Sequence, residues 1–419
     1  MRSCRLTVFL ALFPIGVLLS EGTTKSVESW PGFRGMGDSH LRSDRLPRSW
    51  SESSNLAWRT TLGGYGQSSP VLWGDTLFVT SSRGDQKDEM LIQALSISDG
   101  SERWTKILKA TQKVEKVSDM VSRAAPTPVV DENQVFVFFE SGELASFRHD
   151  GSPVWERRLT AEFGEFKGGH GVGSSLVQAP DYLILLVDHS GPSYLLCLDK
   201  KNGETVWKTE REERVSWTTP LYAVVEGEER LFISSNGVVE GYRLADGKRL
   251  WHISGLKKNT VASPTLAGER LIIGSSDPGQ SMAVRLGGEG DVSETHVAWK
   301  AQSASSSFGS PLVHGDRAYF VNRAGVLQVN SLKDGSSLWK YRLPSSTWAS
   351  PLATPKFLYF FCKDGQAVVM KPGEAEPEIV ERSALPLKEK DRHYGYAVSS
   401  NAIFIRSGEE VICLREEGR

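Results

Sequence analysis

Cysteine is scarce in this chain of 419 residues: Cys4 lies ahead of the first apolar run, and Cys197, Cys362 and Cys413 are scattered through the remainder. An odd count of three does not make a disulfide framework, and no Cys-x-x-Cys, His-Glu-x-x-His or calcium-loop pattern marks a metal site. Charge imbalance is also lacking. With 49 basic and 51 acidic residues the net charge is −2, so nothing draws the chain as a whole to nucleic acid or anionic lipid. Beyond residue 19 there is no apolar run long enough to span a bilayer and no sustained helical or heptad period.

The one apolar run, Leu6 to Leu19, follows Arg2 and Arg5 and precedes Ser20-Glu21-Gly22. This is the pattern of a secretory signal cleaved after Gly22, which predicts an exported protein, periplasmic or extracellular, that touches a membrane only if the segment is retained. Cys4 precedes the run and cannot be a lipoprotein cysteine. Loss of Arg2, Arg5 and Glu21 would leave 47 basic and 50 acidic residues, a net charge of −3.

What is abundant is glycine, 40 residues, and tryptophan, 12 residues, and both recur in a pattern. Ser69-Pro70, Thr127-Pro128, Thr219-Pro220, Ser263-Pro264, Ser310-Pro311 and Ser350-Pro351 each open an apolar, β-branched run, with degenerate copies at Ser174-Ser175-Leu176 and around Tyr396. A glycine followed four residues later by tryptophan closes most units: Gly100/Trp104, Gly151/Trp155, Gly203/Trp207, Gly247/Trp251 and Gly335/Trp339, with Trp299 lacking the glycine. A period of 40 to 58 residues built of short strands and tight turns predicts an all-β, eight-bladed β-propeller of four-stranded antiparallel blades. Trp58, Trp104, Trp155, Trp207, Trp251, Trp299 and Trp339 are then wedges between blades. The segment 55–62 has the look of an outermost strand placed before the first opener, so the N-terminal strand is expected to complete the last blade. The domains expected are a signal peptide at 1–22, a leader at 23–54 and one propeller at 55–419.

The segment Cys197-Leu198-Asp199-Lys200-Lys201-Asn202-Gly203-Glu204-Thr205-Val206-Trp207 is similar to the docking motif of pyrroloquinoline quinone (PQQ) repeat proteins, Ala-x-Asp-x-x-Thr-Gly-x-x-x-Trp. Segments 94–104 and 329–339 match its length. The leader Trp30-Pro31-Gly32-Phe33-Arg34-Gly35 resembles the one found in exported bacterial proteins of this PQQ-like family. The resemblance covers nearly the whole mature chain and extends to the assembly factor BamB and to the quinoprotein alcohol dehydrogenases. It implies the fold, and function has to be read from the site. The dehydrogenases use PQQ with calcium, an adjacent Cys-Cys pair, calcium carboxylates and an Asp base. No adjacent cysteines occur here, and no catalytic residue carries over.

Connections from each outer strand to the next inner strand line the mouth of a propeller's channel. Five of them span 12 or 13 residues, whereas Trp104 to Pro128 spans 24, Trp155 to Leu176 spans 21, and the one leading to Tyr396 is also extended. The first long loop shows roughly helical spacing from Ile107 to Val121, and the second contains Gly168-Gly169-His170-Gly171-Val172-Gly173, where no strand-to-helix context supports a phosphate loop. The two predict a one-sided wall over the mouth. Residues just ahead of the openers, Gln67, Arg123, His170, Trp217, Asn259, Phe308, Trp348 and His393, are the candidate ligand- or partner-binding set. No catalytic residue and no metal ligand is expected. Arg83-Gly84-Asp85 reads as a hairpin turn. The sequence therefore predicts a monomeric, exported binding or assembly scaffold for a protein partner or a small polar ligand, with no cofactor. The alternatives are a PQQ- and calcium-dependent alcohol or sugar dehydrogenase, and a glycan or peptide binder stacking on Trp217 and Trp348.

Overall fold

In the computed structural model, which describes residues 27–113, 121–388 and 391–416, the repeat forms eight separate antiparallel sheets. Blade 1 comprises Val71–Trp73, Thr76–Arg83, Glu89–Ser96 and Glu102–Lys109. Blade 2 is Val129–Val130, Gln134–Phe138, Glu143–Arg148 and Pro153–Arg158, and blade 3 is Val177–Gln178, Tyr182–Val187, Ser193–Asp199 and Thr205–Arg211. Blade 4 runs from Leu221–Val225 through Glu228–Ser235 and Val238–Arg243 to Arg249–Ser254, and blade 5 from Thr265–Ala267 through Arg270–Ile273 and Met282–Arg285 to Val297–Lys300. Blade 6 spans Leu312–His314 to Ser337–Arg342 and blade 7 Leu352–Ala353 to Glu378–Ala384. Blade 8 takes His393–Val398, Ala402–Ser407 and Glu410–Arg415 from the chain's end and Leu56–Thr61 from its beginning, so the expected closure is present. Residues 1–22, the expected signal, lie outside the described residues. Among the described residues no helix is long and apolar enough to cross a membrane.

The tryptophans dock as wedges because each finds two partners in the next blade. The indole N–H of Trp58, Trp104, Trp155, Trp207, Trp299 and Trp339 donates to the carbonyl of Ile97, His149, Lys200, Leu244, Leu332 and Gly373, respectively. The ring lies against the turn glycine that follows. At Gly247, φ is +67° and a Cβ would stand 2.4 Å from the Trp207 ring, so the position requires glycine on both counts. Inside each blade the residue opposite the tryptophan is often small: Ala94, Ser146, Cys197, Gly241, Ala283 and Cys413. The three cysteines are buried and free, and burial pushes the Cys197 thiol up to about 12, leaving it inert. Trp251 departs from the pattern. Blade 5 lacks the motif glycine, and Gly290–Asp291 pairs instead, in parallel, alongside Trp251 and His252 at blade 4's outer edge.

Two local expectations change. Ile107 belongs to the outer strand Glu102–Lys109 of blade 1 rather than to a helix, because cross-strand pairing with Glu89–Ser96 extends to Lys109; residues 114–120 lie outside the described residues. The leader is no detached segment. Ser29–Trp30 pairs with the inner strand of blade 1, and the Pro31 carbonyl accepts from Val130 and Gln178 of blades 2 and 3. Gly37 packs on Leu221 of blade 4, and Arg34 reaches the carbonyls of Pro264 and Pro311 at blades 5 and 6. Ser39 and Leu41 bond Ala353 of blade 7, and Ser43 bonds Ser400 of blade 8. The leader thus touches all eight blades and closes one end of the channel.

Candidate functional site

The strand openers explain the waist of the channel. The backbone N–H of Ser69 donates to the Thr127 hydroxyl at 3.1 Å, Thr127 to Ser175 at 3.0 Å, and Ser175 to Thr219 at 3.1 Å. Thr219 continues to Ser263 at 2.9 Å, Ser263 to Ser310 at 3.0 Å, and Ser310 to Ser350 at 2.9 Å. Ser or Thr is required at the opener because its oxygen satisfies a buried N–H of the neighbouring blade, and the proline after it has no N–H of its own to satisfy. The belt is interrupted at blade 8, where Gly395 has no side chain to offer and the Ser69 hydroxyl occupies the space a Cβ would fill.

Above the belt lies a cavity of ≈ 610 Å³ that opens on the face of the outer-to-inner connections. Its walls are aromatic in two sectors. Phe308 stacks on Trp348 at 4.8 Å and 13°, and Trp348 meets Tyr394 edge-on at 5.5 Å. Across from them His170 packs edge-on to Trp217 at 6.1 Å, and the Trp217 indole donates to the Gly171 carbonyl at 3.0 Å. Lys258 and Arg323 stand on the exposed rim, Phe33 and Arg34 of the leader form the floor, and no Asp or Glu lines the cavity. In a chain of net charge −2 this is a local reversal of sign.

Of the eight residues singled out from the sequence, Gln67, His170, Trp217, Phe308 and Trp348 line the cavity. The other three do not. Arg123 is buried beside Glu140, at 3.8 Å, and donates to the Gln112 carbonyl, which holds it in the wall. Asn259 is fully buried and ties the blade 4 turn, donating to the Ser235 and Val238 carbonyls and accepting from the Gly237 N–H. His393 is fully buried against Phe361 because alternation along its strand turns the neighbouring Tyr394 to the cavity instead. The two long loops do meet: Gln112 donates to the Phe166 carbonyl and accepts from the Phe166 N–H. Sequence reasoning missed Arg34, Lys258, Arg323, Tyr394 and the donor role of the opener hydroxyls. Only the hydroxyls left a signal, the restriction of the openers to Ser and Thr.

Arg34 is 3% exposed and sits in the left-handed region at φ 59°. Its guanidinium donates to Ser39, the Thr265 hydroxyl and the two proline carbonyls, none of them charged. Burial lowers its pKa to about 10, so it remains a cation at neutral pH. His393 shows the opposite consequence of burial. Desolvation lowers its pKa from 6.5 to about 4, so the folded form holds it neutral while the unfolded chain takes up a proton. The sign follows directly: this contribution to stability is intact above pH 6.5 and is lost as the pH falls toward 4, at up to about 1.4 kcal/mol per pH unit. Urea unfolding of the protein and of His393→Phe between pH 4 and 7 should give a flatter pH dependence for the variant.

Fold and repeat together define a PQQ-like repeat β-propeller. The family model described as outer membrane protein assembly factor BamB matches residues 44–169 and 165–360, and the chain belongs to that family. Among solved structures it is similar to BamB from Moraxella catarrhalis, at 15% identity and a TM-score of 0.60, covering 86% of this chain and 97% of that one. A europium-containing methanol dehydrogenase matches at 9% identity and TM-score 0.63, covering 91% and 90%. The quinohemoprotein alcohol dehydrogenase from Comamonas testosteroni matches at 10% and 0.58, covering 92% and 80%. At these identities the likeness establishes the fold. A search of curated proteins finds no match.

Proposed function

We propose that this chain is an exported, monomeric, non-catalytic propeller that acts as a binding or assembly scaffold and receives a protein partner or small polar ligand at the channel mouth. The observation that carries this reading is the cavity itself, closed below by the leader and walled above by aromatic rings, amides and cations. Its volume lies in the range of small-molecule and tail-binding pockets. The BamB-like family match supports a protein partner, and the Arg-flanked apolar run at residues 6–19 supports export.

A quinone-dependent dehydrogenase is the competing reading, favoured by the flat Phe308–Trp348 shelf and the cations, which suit a planar anion. The calcium that accompanies the quinone fits poorly. No carboxylate lines the cavity, and the described residues contain no group of three or more His, Cys, Asp or Glu able to hold a metal ion. Titration of the purified chain with PQQ, with and without calcium, separates the readings. The scaffold reading expects no effect of calcium on whatever affinity is seen, and no reduction of quinone on adding alcohols. Tight one-to-one binding that requires calcium overturns it.

A further inference from the structure

We infer that the hydroxyl belt and Arg34 form a carboxylate-receiving site at the bottom of the cavity, for a ligand whose aromatic part rests on the shelf above. The inference rests on the reading of the channel mouth as a binding site. Three independent observations lead to it.

The first is the state of the belt hydroxyls. Ser69, Thr127, Ser175, Thr219, Ser263 and Ser350 all line the cavity and are all more than nine-tenths buried. Except at Ser69, each oxygen accepts an N–H from the preceding blade, yet none of the six hydroxyls donates to a protein acceptor among the described residues. A hydroxyl has one proton to give as well as lone pairs to fill. Six donors therefore remain around one narrow waist, which suits an acceptor-only group.

The second is the charge beneath them. Arg34 bonds the carbonyls of Pro264 and Pro311, the residues immediately after two belt members, so it lies directly under the ring. Its hydrogen bonds all go to neutral groups, and no carboxylate lies on the cavity wall. A buried cation without a counterion is costly, and a single negative charge from outside would offset it. One positive charge matches a carboxylate better than a doubly charged phosphate. The left-handed backbone of Arg34, unfavourable for a side chain of this kind, is retained here, as at many ligand-holding positions.

The third is the shelf. Phe308, Trp348 and Tyr394 form a continuous aromatic surface above the belt, with Lys258 and Arg323 outside it. An aromatic residue or ring next to the carboxylate would stack there while the acid group reached the waist. The C-terminus of a polypeptide and a free aromatic acid present the same chemistry.

Calorimetric titration of the mature chain with N-acetyl-tryptophan and its primary amide, and with an acetylated pentapeptide ending in tryptophan in acid and amide forms, tests the inference. Each acid should bind at least about ten-fold more tightly than its amide, the scale of a charge-assisted contact in a dry site. A pentapeptide acid about ten-fold tighter than the single amino acid marks a polypeptide tail as the source, and equal affinities mark a free acid. Ser69 sits at the interruption of the belt and accepts no inter-blade bond, so Ser69→Ala removes a donor without uncoupling blades. This variant and Arg34→Gln should both narrow the acid-to-amide ratio while leaving amide affinity within about two-fold. Equal binding of acid and amide overturns the inference and leaves the cavity standing as a binding site. An acid preference unchanged in both variants also overturns it, assigning the effect to the rim. Failure of every probe to bind at about 10 mM overturns the inference and the reading of the mouth together.

Discussion

Replacing Asp188 by alanine is expected to lower the unfolding free energy by about 3 to 5 kcal/mol, because it strands Arg211 in the protein interior. The Arg211 side chain is 2% exposed between blades 3 and 4, with Nε 2.9 Å from Asp188 Oδ1 and Nη1 2.5 Å from Glu240 Oε2. Ser235 donates to the second Asp188 oxygen, and Arg249 bonds the second Glu240 oxygen at 2.8 Å. Burial alone would raise the Glu240 pKa, but Arg211 and Arg249 outweigh it and hold the carboxylate below its ordinary value. The network contains two cations and two anions, so it is balanced as it stands. Equilibrium urea unfolding measures the effect. Replacing Arg211 and Asp188 together by apolar residues should recover part of the loss, and a double variant as unstable as the sum of the singles would contradict the coupling.

Trp30→Ala should cost a similar amount, about 3 to 5 kcal/mol. Trp30 is 3% exposed, packs 5.9 Å from Tyr396, and fills the space that a Cβ on Gly35 would need. It belongs to the largest of the hydrophobic clusters, the one joining leader, blade 8, blade 1 and blade 7. Trp58, by contrast, is only partly buried, so Trp58→Ala should cost less. Thermal unfolding of the two variants side by side checks the ranking. A Trp30→Ala protein as stable as the parent would mean that the leader is not integral to the ring.

The repeat was legible because physics repeats with it. A tryptophan that docks on the next blade's glycine, and a hydroxyl that caps the next blade's N–H, recur in sequence wherever the geometry recurs, and the strand at 56–61 could be assigned to blade 8 because it had the shape of the missing piece. Features present once had no such aid. Arg34 is one basic residue between glycines, and nothing in its neighbourhood tells that it lies under the channel. Lys258 and Arg323 come to the rim from two different connections. Arg123, Asn259 and His393 were misplaced because position ahead of an opener does not decide which way a side chain turns; an ion pair, a turn and strand alternation decided it. The spacing from Ile107 to Val121 suggested a helix because the outer strand of blade 1 runs on into a loop, mixing two periodicities.

Closure of the ring by its own first strand also fixes an order of events in time. Arg59 and Glu410, paired at 3.0 Å, are 351 residues apart in the chain. The strand at 56–61 and the leader before it are made first, yet they cannot reach their final neighbours until the last blade has been made. Until then blade 1 lacks its neighbour on that side, and both edges of the incomplete ring stay open to intermolecular pairing. Folding of this molecule is therefore finished at its seam, and a chain cut short by only the last strand would lose the closure of the whole circle.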